Sequence, residues 1–174
     1  TSFPSIALGQ IVPFQTVTRN YGGAYRSGKH AFVAPMAGYY FFSTTVLSGS
    51  GTKPLELHFF KSGIDYQVGC YEEGNGHTTC SIMAPMLLSK GDEVSIRCAD
   101  TAGGDIWAGS DNAQRGLTNF RGFMLYPLSD PDAVLFQAVL PSSQKLSPGF
   151  KIPYSQVLLN AKSAYSASKS QFTA

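Results

Sequence analysis

Two stretches of sequence decide the fold, GYYFFSTTV at residues 38–46 and FRGFMLY at residues 120–126. In both, apolar side chains stand on successive residues rather than on alternate ones, so a strand there is apolar on both faces. A strand of this kind is covered on both sides in a folded protein. One cover is the second sheet of a sandwich, and the other is either another subunit or a loop of the same chain.

Shorter strands are predicted around these two. Residues 93–98 and 55–59 alternate apolar and polar side chains, which is typical of half-buried strands. The run at residues 79–88 contains Pro85, which favours an edge strand or a bend. Glycine-rich turns separate the runs at intervals of about ten residues, and this spacing predicts an antiparallel β-sandwich.

The composition excludes several classes of protein. Of the 174 residues, 43% are apolar and 14% are charged, so the chain has enough to bury and too little charge for disorder. No apolar run approaches the roughly 18 residues of a membrane span. A net charge of +2 is too small to predict binding to nucleic acid or anionic lipid. The length suits one domain with about forty residues to spare.

The chain has three cysteines, Cys70, Cys80 and Cys98, and no CxxC motif that would indicate zinc or thioredoxin chemistry. Cys70 and Cys80 are placed to face each other across a hairpin and to form a disulfide if the protein is secreted. Cys98 is then left over. The alternative is three buried thiols in a reducing compartment.

No catalytic constellation, metal motif or cofactor motif is found, so the sequence predicts neither an enzyme nor a cofactor. One candidate ligand loop contains Glu72, Glu73 and His77, whose carboxylates and imidazole suit a metal or sugar contact. The alternative is a polar hairpin tip.

A second candidate ligand loop contains Asp105, Trp107, Asp111 and Asn112. An aromatic ring beside acids and amides suits sugar binding, because the ring stacks on apolar sugar faces and the polar groups bind the hydroxyls. The alternative is that Trp107 packs in the core. The aspartates lack the regular spacing of a calcium loop.

The chain contains an internal repeat. When residues 151–174 are laid over residues 11–34 at an offset of 140, eight of 24 positions are identical. Chance would give roughly one or two at average composition. The identities are Pro13/Pro153, Val17/Val157, Asn20/Asn160, Ala24/Ala164, Tyr25/Tyr165, Lys29/Lys169, Phe32/Phe172 and Ala34/Ala174. The repeat is therefore taken as real.

The phase of the repeat is unusual. Residues 133–140 (AVLFQAVL) are predicted to form a strand, and their counterpart at the same offset would fall before Thr1. The chain is therefore interpreted either as one domain taken out of a tandem array in a shifted frame, or as a unit that shares strands with its neighbours.

Two long stretches resemble the globular domain of complement component 1q, in the wider tumour necrosis factor superfamily. The first has the pattern N-x4-Y-x2-GK-x2-F-x2-P-x2-G-x-Y-x-F, and the second joins a GDEV turn at residues 91–94 to residues 120–127 (FRGFMLYP). The signature residues are Asn20, Tyr25, Gly28, Phe32, Pro35, Gly38, Tyr40, Phe42, Gly91 and Asp92. The resemblance covers about residues 11–127.

This resemblance implies an all-β, antiparallel ten-strand jelly-roll sandwich that is usually a trimer and is secreted. It also implies that the first strand lies beside the last. The predicted organisation is a domain at residues 1–127 without its own first strand, a linker at 128–132, and a first-strand-like segment plus the start of a second repeat at 133–174.

The first strand is then supplied from the C-terminal end, either within the chain as a circular permutation or to a neighbour. The assembly strand is expected to use Val134, Phe136, Val139 and Leu140, and the strand that it pairs with contains Phe120, Gly122, Phe123, Met124, Leu125 and Tyr126. Exposed sheet edges recruit strands in this way.

The sequence thus predicts a secreted, extracellular, non-enzymatic structural protein that forms trimers or filaments through strand exchange or tandem repeats. The alternative is a secreted lectin-like recognition protein that binds carbohydrate or microbial surfaces through the two loops. Assembly is favoured because the repeat and its phase are otherwise unexplained.

Overall fold

The computed structural model describes residues 5–49, 53–73, 76–101, 103–107, 117–130 and 133–172. Fourteen strands lie in these ranges, joined by turns and short 3₁₀ segments. They are β1 (Ser5–Ile6), β2 (Tyr25–Arg26), β3 (Ala31–Val33), β4 (Gly38–Ser48), β5 (Leu55–Lys61), β6 (Ile64–Glu72), β7 (Thr79–Leu88), β8 (Glu93–Cys98), β9 (Gly104–Trp107), β10 (Asn119–Pro127), β11 (Phe136–Val139), β12 (Gln156–Asn160), β13 (Tyr165–Ser166) and β14 (Gln171–Phe172).

Strands β1 to β10 form two antiparallel sheets that pack face to face. In the first sheet, β4 pairs with β7 along one edge and with β10 and then β9 along the other, and β1 pairs with β9. The second sheet has the order β2-β3-β8-β5-β6. The predicted all-β antiparallel sandwich is confirmed. Strand β7 pairs with β4 along its whole length, and Pro85 lies opposite Phe41 on what is an outer strand among those described.

The core lies between the two sheets because β4 and β5 alternate their side chains. Tyr40 and Phe42 point inward from β4 and are fully buried, as is Phe59 from β5. The ring of Phe32 lies edge-on to both β4 rings, with centroid separations of 5.4 and 5.1 Å. Edge-to-face pairs of this kind add about 0.5–1.5 kcal/mol beyond the burial of their area.

The predicted disulfide between Cys70 and Cys80 is present, with the two Cα atoms 5.4 Å apart. The expectation that it crosses a hairpin is wrong. Strand β6 pairs with β5 and β7 pairs with β4, so the chain passes from one sheet to the other between the two cysteines. The bond therefore ties the two sheets together. Cys98 is a buried free thiol, and burial raises its pKa.

The residues after Pro127 form two further strand pairs, β11 with β12 and β13 with β14. The pairing of residues 133–140 with β10 inside one chain, which a circular permutation requires, is not the one observed. Strand β11 instead pairs with β12, where Phe136 stacks on Tyr165 at 4.9 Å and on Phe172 at 5.3 Å. These two rings belong to the second copy of the repeat.

Candidate functional site

The two copies of the internal repeat adopt the same local structure. The Asn20 side chain donates to the carbonyl of Tyr25 and accepts from its N–H at 2.9 and 3.0 Å, and Asn160 does the same to Tyr165 at 2.8 and 2.9 Å. The Tyr25 hydroxyl donates to the carbonyl of Phe14 at 2.7 Å, and that of Tyr165 to the equivalent carbonyl at 2.8 Å. Residues 151–172 are therefore a structural as well as a sequence repeat.

The two copies differ in how far their apolar side chains are covered. Val12 is 2% exposed and Phe32 is 8% exposed, whereas their equivalents Ile152 and Phe172 are 42% and 47% exposed. In the first copy β3 pairs with β8, and the Phe14 ring packs on Phe120 of β10, whereas the second copy pairs with β11. These two apolar positions of the second copy are thus exposed in the described chain, whereas Ala164 and Tyr165 of the same copy are buried.

The copies also differ in strand pairing. Strand β12 hydrogen-bonds to β11 in the register Phe136↔Asn160 and Gln137↔Leu159. The equivalent residues 16–20 of the first copy are exposed and form no strand in the described part of the chain. The same sequence pattern is therefore a strand in β12, which pairs with β11, and an irregular segment at residues 16–20.

Several strands are paired along one edge only among the described residues, and β10 and β11 are two of them. Strand β10 pairs with β4 on one side, and β11 pairs with β12 on one side. An edge strand presents unpaired N–H and C=O groups that can pair with another chain. The strand β1 lies beside β9 and not beside β10, so it leaves the edge of β10 open.

The assembly strand carries an unusual polar group. Among the described residues, the Oε1 atom of Gln137 is buried and has no hydrogen-bond partner. Val134 is exposed, while Val139 and Leu140 are half-buried. The tail touches the sandwich at β7 and β6, where the Gln156 amide donates to Gln67.

The two candidate ligand loops meet in space. The rings of His77 and Trp107 stack with centroids 4.5 Å apart, although thirty positions separate them in the sequence. The position of His77 is fixed by a contact of its Nδ1 with the carbonyl of Ser48 at 3.2 Å, and the carbonyl of Trp107 accepts from Thr118 at 2.6 Å. His77 is exposed and Trp107 is half-buried, so one edge of the stacked pair faces solvent.

The acidic residues of these loops separate. Asp105 lies on β9 two residues before Trp107, and its carboxylate accepts a hydrogen bond at 2.5 Å from Ser5 on the neighbouring strand β1. Glu72 is buried at the end of β6, and Glu73 follows it on the surface. Asp111 and Asn112 lie outside the described residues. In the described ranges, no three His, Cys, Asp or Glu side chains lie close enough to hold a metal ion.

The sequence matches the C1q domain over residues 1–125. The chain belongs to the C1q domain family. The match begins ten residues before the stretch 11–127 that carries the resemblance.

A solved C1q globular domain shows the same fold, and two further structures are less similar. The globular domain of zebrafish complement 1qA protein superposes with a TM-score of 0.57 at 18% identity, covering 73% of this chain and 93% of that one. Murine APRIL gives a TM-score of 0.42 at 14% identity, covering 53% and 70%. The Eiger TNF of S. frugiperda gives 0.43 at 14% identity, covering 60% and 70%. The predicted jelly-roll fold of the C1q and TNF type is confirmed.

Members of the C1q domain family share general properties of location, assembly and chemistry. C1q domain proteins are typically extracellular and oligomeric, C1q and TNF domains commonly form homotrimers, and such domains are generally non-enzymatic. No helix in the described part of the chain is long and apolar enough to cross a membrane.

Most of the signature residues of the C1q domain have structural roles. A Cβ at Gly38 would lie 2.6 Å from the carbonyl oxygen of Tyr126, so only glycine lets β4 and β10 approach this closely. Gly91 has a φ of 91°, which the tight turn before β8 requires. The remaining signature residues lie in the core or in the turns leading to it: Asn20, Tyr25, Gly28, Phe32, Pro35, Tyr40 and Phe42.

Asp92 closes the turn between β7 and β8. Its carboxylate accepts from the N–H of Ser89 at 2.9 Å and from the hydroxyl of Ser62, and it pairs with Lys61 at 3.2 Å. Burial raises the pKa of Asp92, but these hydrogen bonds and the Lys61 charge outweigh burial and hold the pKa below its ordinary value.

The outer face of the first sheet of the C1q domain is apolar. Phe41 and Phe123 pair across β4 and β10 with their ring centroids 5.7 Å apart, and Phe123 is exposed. Met83 and Leu87 extend this face across β7 and are also exposed. The doubly apolar strands of the C1q domain are therefore covered by the sandwich on one side only, within the described chain.

Three features of the structure could not be predicted from the sequence. The stacking of His77 on Trp107 joins two loops that no sequence motif links. The buried Oε1 atom of Gln137 without a hydrogen-bond partner could not be predicted, since an alternating strand pattern does not show which strand will lie opposite. Strand β1 is two residues long, which is too short to show any alternation.

Proposed function

We propose that this C1q domain protein is a secreted, non-enzymatic assembly protein whose jelly-roll units associate into oligomers or filaments by strand sharing or tandem repetition. The observation that carries the proposal is the second copy of the repeat. It keeps the hydrogen bonds of the first copy, yet Phe172 is 47% exposed where Phe32 is 8% exposed. A further jelly-roll unit of the same array or a second copy of the chain would cover such exposed apolar side chains.

The open strand edges supply a route for this association. The assembly strand, around Val134, Phe136, Val139 and Leu140, offers its free edge to the open edge of β10, which contains Phe120, Gly122, Phe123, Met124, Leu125 and Tyr126. Backbone pairing between two edges gives affinity without requiring charge complementarity, which suits a chain with 13 basic and 11 acidic residues.

The apolar outer face supplies a second contact. Met83 and Phe123 are 64% and 57% exposed on the same side of one sheet. Contiguous exposed apolar side chains of this kind mark interaction sites on soluble proteins. In this proposal the apolar face holds a discrete oligomer together. Residues 133–172 then join such oligomers into larger particles.

The test is light scattering on a sizing column with the full chain. Gln137→Pro removes an N–H from β11 and blocks strand pairing there, whereas Gln144→Pro places the same residue in the exposed loop before β12. We expect particles larger than a trimer for the parent chain and for Gln144→Pro, and loss of those particles for Gln137→Pro. Equal particle sizes for all three chains would contradict the proposal.

The second candidate function is carbohydrate recognition, and the stacked pair of His77 and Trp107 favours it. A half-buried indole with an imidazole against it, at the rim of a sheet, is a surface on which an apolar sugar face can stack. Glycan-array binding followed by calorimetry tests it. Saturable binding that Trp107→Ala abolishes and Tyr21→Ala leaves intact supports it, since Tyr21 is 90% exposed and lies far along the chain.

A further inference from the structure

We infer that residues 133–172, called the tail below, are held by an amide latch against β6 and β7, the outer strands of the two sheets, and that assembly proceeds from chains whose tail has left this position. The latch is the hydrogen bond between Gln156 and Gln67. The inference rests on the proposed assembly function and adds to it an autoinhibitory contact within one chain.

The latch joins parts of the chain that lie far apart in the sequence. The side-chain amide of Gln156 in β12 donates to the side-chain carbonyl of Gln67 in β6, 89 positions away, and both β11 and β12 lie against β7. The latch does not belong to the repeat, because Thr16, which has no amide, stands at the position equivalent to Gln156. The contact is therefore particular to the second copy.

Gln67 has an uncommon backbone conformation. Its φ is 60°, in the left-handed region that few residues other than glycine adopt. It lies where β6 shifts its register against β5, between the pairs His58↔Gly69 and Phe60↔Asp65. Its N–H donates to the carboxylate of Asp65 at 2.7 Å. Bulges redirect side chains in this way, and here the redirected side chain reaches the tail.

A second contact fixes the bulge from the neighbouring strand. The Nδ1 atom of His58 lies 2.8 Å from the Asp65 carboxylate, and its Nε2 atom lies 3.0 Å from that of Glu56. The imidazole lies over Gly69, where a Cβ would collide with the ring. The carboxylate that positions Gln67 is thus itself held by a side chain of β5.

The tail lies beside a strand edge that carries little protection of its own. Strand β7 contains no charged residue. The carbonyls of Pro85 and Leu87 face away from β4 and accept from the Tyr66 hydroxyl at 3.2 Å and the Lys61 ammonium at 2.8 Å. Alternate residues of a paired strand share this direction, so Met83 presents its N–H and C=O on the same edge. Uncharged edges recruit other strands unless they are covered.

The docked tail therefore shields two strands at once. Strand β11 lies against β7 of its own chain, so a partner that approaches either strand from this side has to displace the tail. Both groups of the latch are neutral amides, which leaves salt no charge to screen. One neutral hydrogen bond changes an equilibrium by only about fivefold, so the tail remains free to leave.

Tethering the tail tests the inference. The full chain with Gln67→Cys and Gln156→Cys is treated at low concentration with a short bis-maleimide, and a second portion is capped with N-ethylmaleimide. The introduced thiols react selectively because Cys98 is buried and the other two cysteines are bonded. Both portions have the same sequence, so they differ in the tether.

Peptide mapping is expected to show the cross-link within one chain. Light scattering is then expected to show at least tenfold fewer large particles in the tethered portion than in the capped portion. Absence of an intrachain cross-link, or equal assembly of the two portions, would overturn the inference.

Charge variants give the opposite perturbation. Gln67→Glu with Gln156→Glu places two carboxylates face to face, whereas Gln67→Lys with Gln156→Glu places opposite charges there. At low salt the like-charged chain is expected to assemble about tenfold faster than the oppositely charged chain, and about 1 M salt should remove most of the difference. Equal rates at low salt would contradict the latch.

The outcomes separate the latch from the proposed function. If tethered and capped chains assemble equally, the latch is wrong and the assembly function stands. If every form of the chain stays monomeric, the assembly function is wrong, and the inhibitory role of the tail is wrong with it.

Discussion

Reduction of the disulfide between Cys70 and Cys80 is expected to destabilise the domain by a definite amount. The two cysteines are separated by 10 positions. A cross-link stabilises mainly by reducing the entropy of the unfolded chain, and a loop of this length corresponds to about 2.7 kcal/mol. For a chain of this size that is a fall in Tm of about 5–11 °C. The double variant Cys70→Ala/Cys80→Ala should show the same fall.

The assay is urea unfolding followed by the fluorescence of Trp107, which is the one tryptophan of the sequence. The parent chain is measured with and without a thiol reductant. The double variant, measured in the same two buffers, is the control, because it has no bond between the sheets to lose. A reductant effect below about 0.5 kcal/mol on the parent chain, or an equal effect on the double variant, would refute the reasoning.

Two further substitutions probe the turns and close contacts of the domain. Gly38→Ala places a Cβ 2.6 Å from the Tyr126 carbonyl oxygen, so the strands must separate, and a loss of about 1–3 kcal/mol is expected in urea unfolding. Asp92→Asn is expected to lower stability at pH 7 by about 1 kcal/mol. Because the folded pKa of Asp92 lies below its ordinary value of 3.8, the difference should persist above that value and disappear as the pH falls below it. A difference that grows on acidification would contradict this sign.

The sandwich was predictable because its signals are local. Alternation at residues 55–59 and 93–98 specifies which side chains face the core, and β5 and β8 follow it. The aromatic run in β4 indicated a strand with two apolar faces, and Phe41 does lie on the face opposite to Phe42. The sequence could not show the sheet to which each strand belongs. The chain crosses between sheets from Cys70 to Cys80, and nothing in the loop composition distinguishes that crossing from a hairpin.

The candidate sites were predictable only in part, for the same reason. The sequence identified residues 133–140 as a strand but not the strand that pairs with it. In the structure, Phe136 stacks on Tyr165 and Phe172, which belong to the second copy of the repeat. The loops around His77 and Trp107 were each recognised by composition. Their contact depends on the end of β4, where the carbonyl of Ser48 holds His77 beside β9. Long-range geometry of this kind leaves no periodic pattern.

Strand exchange between chains and a tandem array of units build the same interface from different connectivities. In an array, each first strand is covalently joined to the segment that it pairs with, as β11 is joined to β12. In exchange, the strand comes from another molecule, and its effective concentration is the protein concentration itself. Substitutions in β11 weaken both arrangements, so they cannot distinguish them. Dilution can, because it dissociates strands that are exchanged between molecules and leaves the pairing of Gln137 with Leu159 within one chain intact. The choice between the two connectivities is thus measurable as the dependence of particle size on protein concentration.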